Sequence, residues 1–108
     1  MNKNKQLLYE KQAEIAKSIA HPLRMAILDF LKDGGQCVCD IAEYAGSERS
    51  NVSRHLAVMV NAGILDFRKE GLKVIYSLKC KCVTDFFTCA IDVIKQQAKE
   101  NQKLLRAL

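Results

Sequence analysis

Glycine stops divide this chain into segments whose lengths leave little choice of fold. Asp33-Gly34-Gly35, Gly46, Gly63 and Gly71 each fall between runs of regular hydrophobic period, and a glycine just past such a run ends a helix or makes a tight turn. Ahead of the first stop, Leu7–Ala20 carries Leu8, Ile15 and Ile19 along one stripe and Glu10, Lys11, Glu14 and Lys17 largely opposite, which predicts a helix. His21-Pro22 breaks it, and Pro22 suits the first turn of a second helix, Pro22–Lys32, with Leu23, Ala26, Ile27, Phe30 and Leu31 at helical spacing. Between Gly35 and Gly46 a short helix is expected from Cys39 or Asp40 to Ala45. The next starts at Ser47 or Glu48 and runs to Ala62. Two short helices across a glycine turn make a helix-turn-helix.

After Gly63 the period changes to that of strands: Ile64–Glu70, a turn at Gly71, then Lys73–Leu78. This predicts a β-hairpin, a wing. From Val83 to the end the helical period returns, with Val83, Phe87, Ala90, Ile94, Ala98 and Leu105 on one stripe. The predicted fold is mainly α with a small β-hairpin, in the order α-α-α-α-β-β-α. It is one winged helix-turn-helix domain over 1–108 with extra terminal helices.

A chain of 108 residues, 49% hydrophobic, has enough apolar material for one core. No run approaches the roughly 20 apolar residues that span a bilayer. Met1–Gln6 lacks the apolar stretch of a signal peptide. A cytoplasmic location with reduced thiols, and no membrane partner, is the expectation. Net charge is +5, from 17 Lys and Arg against 12 Asp and Glu, and a small basic chain is drawn to polyanions.

The second helix of the motif separates into two faces. Val52, Leu56 and Met59 point to the core, whereas Arg49, Ser50, Ser53 and Arg54 point away, with Asn51 and His55 at the edges. Past Glu48 this face holds no carboxylate. Arg can pair with the guanine edge, Asn with the adenine edge, and hydroxyls with phosphate, so the face suits a DNA groove. At the hairpin tip Arg68, Lys69 and Lys73 add positive charge able to straddle a phosphate backbone.

Ala20-His21-Pro22-Leu23-Arg24-Met25-Ala26-Ile27-Leu28, Val52-Ser53-Arg54-His55-Leu56, Ala62-Gly63-Ile64-Leu65 and Glu70-Gly71 ahead of Val74-Ile75-Tyr76 follow one another at the spacing of a known pattern. Over roughly residues 10 to 80 the chain resembles ArsR/SmtB-family winged-helix repressors. The resemblance implies a homodimer built on the first and last helices, bound to an inverted-repeat operator in double-stranded DNA with recognition helices in successive major grooves. It gives His21 a structural place, packed or capping, and gives His55 a DNA contact.

Five cysteines are too many to ignore and, being odd in number, cannot all pair within the chain. Cys37-Val38-Cys39 resembles the thiolate motif of the arsenic- and cadmium-responsive members at the start of the first motif helix. Residues i and i+2 lie roughly 200° apart on a helix but on one side of an extended segment. Both sulfurs therefore reach one ion only at or before the first helical turn, where the helix N-terminus also favours thiolate.

The chain departs from its relatives in the remaining ligands. The third cysteine of the arsenic type would fall at Ala42, and residues 1 to 36 hold none of the N-terminal cysteines of the cadmium type. Further donors are expected from Cys80, Cys82 or Cys89, in the same subunit or its partner. Cys82 and Cys89 stand seven apart, about 10 Å along a helix axis, so the two cannot share an ion if both are helical. The family's zinc site on the last helix needs histidine, and none follows His55.

These residues point to a repressor that releases DNA when a soft ion binds thiolates: As(III) or Sb(III) first, by resemblance, then Cd(II), Pb(II) or Zn(II). The alternative is a redox or sulfide sensor in which a disulfide bridges Cys37 or Cys39 to the 80–82 pair. An enzyme is not expected, since no general base accompanies the cysteines.

Overall fold

A computed structural model describes all of residues 1–108. The elements are α1 (Lys3–Ile19), α2 (Pro22–Leu31), β1 (Gln36–Cys37), α3 (Val38–Ala45), α4 (Arg49–Asn61), β2 (Leu65–Glu70), β3 (Lys73–Leu78) and α5 (Val83–Ala107). The expected mainly-α winged helix-turn-helix is present, with one correction to its order: a two-residue strand precedes α3. Gln36 pairs with Tyr76 and Cys37 with Ile75, which makes a three-stranded antiparallel sheet in the order β1-β3-β2. Two residues are too few to show a period, and their partners lie about 40 positions away, so only tertiary structure reveals this strand.

Caps set the helix starts. The Asn2 side chain accepts the Lys5 N–H at 2.8 Å, and α1 begins four residues ahead of its expected start at Leu7. His21 Nδ1 accepts the Leu23 N–H at 3.0 Å with Pro22 in the first turn of α2, the capping place expected of it. At the turn between α3 and α4, Gly46 has φ 64° and its neighbour Ser47 donates to the Ala42 carbonyl. A side chain there would be strained. The wing turns on Gly71, φ 61°. Leu72 beside it has no positive φ, as in a type II′ hairpin.

The core lies where α2, α3 and α4 meet the base of the wing. Ile27, Leu28, Leu31, Ile41, Val52, Leu56 and Met59 are sealed from solvent, joined by Leu65 and Val83. The buried face of α4 is therefore the one its period predicted. Burying a Leu, Ile or Met side chain is worth about 1.5–3 kcal/mol, so α4 is held firmly and its other face is displayed.

The terminal helices are different. Only Ser18 in α1 and Val83 in α5 are buried. Leu7, Leu8 and Ile15 on α1, and Phe86, Ile91, Ile94, Leu104 and Leu105 on α5, stand in solvent. The radius of gyration, 17.4 Å, well exceeds the roughly 13 Å of a compact chain this long. No helix is long and apolar enough to cross a membrane.

Candidate nucleic-acid interface and thiol sites

Arg49, Ser50, Ser53 and Arg54 are all exposed along the outer face of α4. Asn51, half-buried, is tied at both ends of its amide: Nδ2 donates to Ser47 Oγ at 2.9 Å, and Oδ1 accepts Arg54 Nη2 at 3.3 Å. The Asn51–Arg54 pair is thus arranged before any ligand arrives. On the wing, register places Arg68, Glu70 and Lys73 on one face and Lys69 on the other. Arg68 donates from Nε and Nη2 to the Glu70 carboxylate, both at 3.2 Å, while Lys69 and Lys73 form no ion pair.

His55 sits differently from its neighbours. It is half-buried, and its Nδ1 accepts the Arg24 Nε–H at 2.9 Å. Its ring lies against His21, centroids 4.5 Å apart. Arg24 also donates to the Ser18 carbonyl at 3.2 Å and the Lys17 carbonyl at 3.5 Å. One guanidinium thereby joins the end of α1, the body of α2 and the middle of α4. Burial, with His21, Arg24 and Arg54 adding positive charge, pushes the His55 pKa below its ordinary value. The ring that accepts from Arg24 is neutral and carries its proton on Nε2. Sequence reading missed Arg24. The only available signal was its place one helical turn after a capping histidine.

The five thiols are free and fall in three settings. Cys37 is the extended N-cap residue of α3; its Sγ accepts the Asp40 N–H at 3.4 Å and it is 5% exposed. Cys39, two residues on, is exposed. The pair does sit at the first turn, yet its two sulfurs lie in different surroundings.

Cys80 and Cys82 precede or open α5 and line a cavity of about 400 Å³ between α1 and the start of α5. Ile15, Ile19, Ile64, Val83 and Phe86 wall it. The Cys80 thiol at its side pushes the Cys82 thiol above its ordinary pKa. Cys89 is exposed on α5. Within one chain no three His, Cys, Asp or Glu side chains converge as a metal would need. Donors expected to complete the Cys37–Cys39 pair are not brought to it in the single subunit.

Comparison with known proteins covers nearly the whole chain. The family model "Bacterial regulatory protein, arsR family" matches residues 21–66. The Mycobacterium tuberculosis HTH-type transcriptional regulator Rv0081 is 30% identical over 94% of this chain and 90% of its own. Its crystal structure superposes with a TM-score of 0.76, covering 87% of this chain and 95% of that one. The arsenical resistance operon repressor of Staphylococcus xylosus is 30% identical over 80% of this chain and 82% of its own. A Mycobacterium bovis structure, described as a homodimeric winged helix-turn-helix DNA-binding domain, has 25% identity and a TM-score of 0.79 over 93% of each chain. With α4 displayed beside a basic wing and these relatives spanning most of its length, the chain belongs to the ArsR family of winged helix-turn-helix transcriptional regulators.

Proposed function

We propose that this protein is a dimeric repressor whose hold on its operator is relieved when a thiophilic ion occupies Cys37 and Cys39. The observation that carries the reading is the double attachment of Cys37. Its sulfur caps α3, the first helix of the DNA-binding motif, and its backbone is paired to Ile75 in the wing. An ion taking that sulfur competes with the Asp40 N–H for it, and α3 and the wing both feel the change. For release to follow, the ion must bind the low-affinity arrangement better, and the coupling is then reciprocal. With two sulfurs present and no third donor alongside, the remaining ligand is drawn from Cys80, Cys82 or Cys89 of either copy. As(III) and Sb(III) match three soft thiolates and precede Cd(II), Pb(II) and Zn(II).

Dimerisation is assigned to the terminal helices because their apolar stripes are exposed in the single chain, and faces of this extent mark contact sites. Arg49, Ser50, Asn51, Ser53 and Arg54 are assigned to the major groove, and Arg68, Lys69 and Lys73 to flanking phosphates. His55, held by Arg24, contributes to DNA binding by fixing the angle of α4, with Nε2–H its remaining donor.

The test is fluorescence anisotropy on a labelled operator. Cys37→Ser and Cys39→Ser should bind it as the parent does and fail to release it when arsenite is added. Full release from either variant removes the assignment. A second reading, closure of a disulfide, is favoured only if diamide produces one defined pairing, located by mass spectrometry, together with release.

A further inference from the structure

We infer that Leu72, at the tip of the wing, enters the minor groove of the operator and selects A·T over G·C pairs there. The inference deepens the operator-binding reading above. It rests on α4 lying in the major groove and on nothing about the thiols.

A solitary exposed leucine is ordinary on a protein surface. This one is set apart by its surroundings. Glu70 and Lys73 form the last pair of the β2–β3 ladder, so Gly71 and Leu72 make a two-residue turn. Leu72 is fully exposed there. Lys69 and Lys73 stand on opposite faces of the ribbon, and neither forms an ion pair. Glu70, the carboxylate nearest the tip, is held by Arg68 at 3.2 Å. The tip therefore presents one apolar side chain with a free cation on each face. A groove walled on both sides by phosphates is the complement of that arrangement.

The dimensions agree. The base of the wing is anchored to α4, where the Ile64 N–H donates to the Met59 carbonyl at 2.9 Å and Leu65 is buried. From Leu65 to Glu70 the strand extends about 17 Å, at roughly 3.3 Å per residue. One turn of B-DNA is about 34 Å, so a major groove and the next minor groove on the same side lie about 17 Å apart. With α4 in a major groove, the wing is long enough for its tip to reach the neighbouring minor groove. That groove is only about 6 Å wide, so it admits the two-residue turn and leaves the ribbon faces, with their lysines, at the phosphates.

What the leucine reads follows from the groove floor. A·T and T·A pairs show only acceptors there, whereas G·C adds the guanine N2 amine. That amine stands in the way of an apolar side chain, and Leu72 would strip its water while offering no acceptor in return. Proteins that use this groove insert apolar side chains, leucine among them, between base steps. A·T tracts are also narrower and more negative, which draws both phosphate walls toward Lys69 and Lys73.

The experiment uses the full-length protein and a duplex that it selects from a random-sequence library. Adenines of either strand are replaced one at a time by 2,6-diaminopurine, which adds a minor-groove amine and keeps the major-groove edge of adenine. Binding is read by fluorescence anisotropy. At one cluster of positions per half-site the replacement should weaken the parent roughly fivefold or more, the size of a mismatched base pair. Leu72→Ala should bind the two duplexes equally. Leu72→Asn, whose amide oxygen can accept from the added amine, should lose the penalty or reverse it. Both variants should melt as the parent does, since Leu72 is fully exposed.

No weakening at any position overturns the inference, as does a penalty of the same size in the parent and in Leu72→Ala. Weakened binding in Arg54→Ala together with indifference to diaminopurine removes the role of Leu72 and keeps α4 in the major groove. A protein that selects no duplex removes both.

Discussion

Arg24→Ala should destabilise the fold by about 2 kcal/mol, because one side chain holds three helices together. Its Nε–H bond to His55 Nδ1, at 2.9 Å and partly buried, joins a charged donor to a neutral ring. Bonds to charged groups contribute about 1.5–3 kcal/mol, and partial exposure puts this one near the lower end. The 3.2 Å bond to the Ser18 carbonyl adds less than 1 kcal/mol or so, since water can replace it, and the 3.5 Å bond to Lys17 adds little. A loss of about 2 kcal/mol lowers the folded-to-unfolded ratio by roughly 30-fold. Urea unfolding followed by circular dichroism at one fixed protein concentration measures it, concentration being held because association contributes to apparent stability. His55→Gln in the same assay should account for the larger part of the loss, and the double variant should lose less than the sum. A loss below about 0.5 kcal/mol, the ordinary range of surface substitutions, would refute the claim that Arg24 clamps α4.

Other consequences are equally direct. Since the His55 pKa is depressed in the folded state, the unfolded chain binds the extra proton first. Stability from this residue is therefore complete above its ordinary value of about 6.5 and is lost as pH falls through it toward the folded value. Denaturation midpoints from pH 7.5 to 5 should fall in the parent and fall less in His55→Gln. Gly35→Ala should cost about 1–3 kcal/mol by overpacking, because its Cβ would meet Ile75 Cγ2 at 2.9 Å and the Tyr76 carbonyl at 3.3 Å. Thermal melts at one concentration check it, and an unchanged midpoint would mean that Ile75 yields freely. Lys69→Ala and Lys73→Ala, lacking ion pairs on the wing, should each weaken operator binding across all sequences and reduce the salt slope by about 1. Arg54→Ala should instead cost about 1–3 kcal/mol on the specific operator alone if it reads a base.

Much of the architecture was legible because it rests on local signals. Hydrophobic period distinguishes α4, with Val52, Leu56 and Met59 inside, from the wing strands that follow Gly63. Gly46 and Gly71 mark turns that only a residue at ease with positive φ makes cheaply. The first turn of α1, Lys3–Gln6, is polar and adds nothing to the hydrophobic period, so the period begins only at Leu7, although Asn2 carries a capping signal.

The sites were legible only as residue types. Chain order and spacing identified the displayed face of α4 and marked Cys37 and Cys39 as a pair at a helix start. Neither could show that Cys37 turns inward as a cap while Cys39 stays in water, nor that Arg24 reaches 31 positions ahead to His55.

Periodicity, punctuation and charge, all properties of near neighbours, determined the helix-turn-helix, the wing and the basic outer face. Tertiary structure alone decided the β1–β3 pairing, the three-helix clamp at Arg24 and the apolar cavity that Cys80 and Cys82 share with α1. The physical reason is one of range. Hydrogen bonds and burial between distant segments depend on where the backbone brings them together, and nothing in either segment's own pattern encodes the distance to the other.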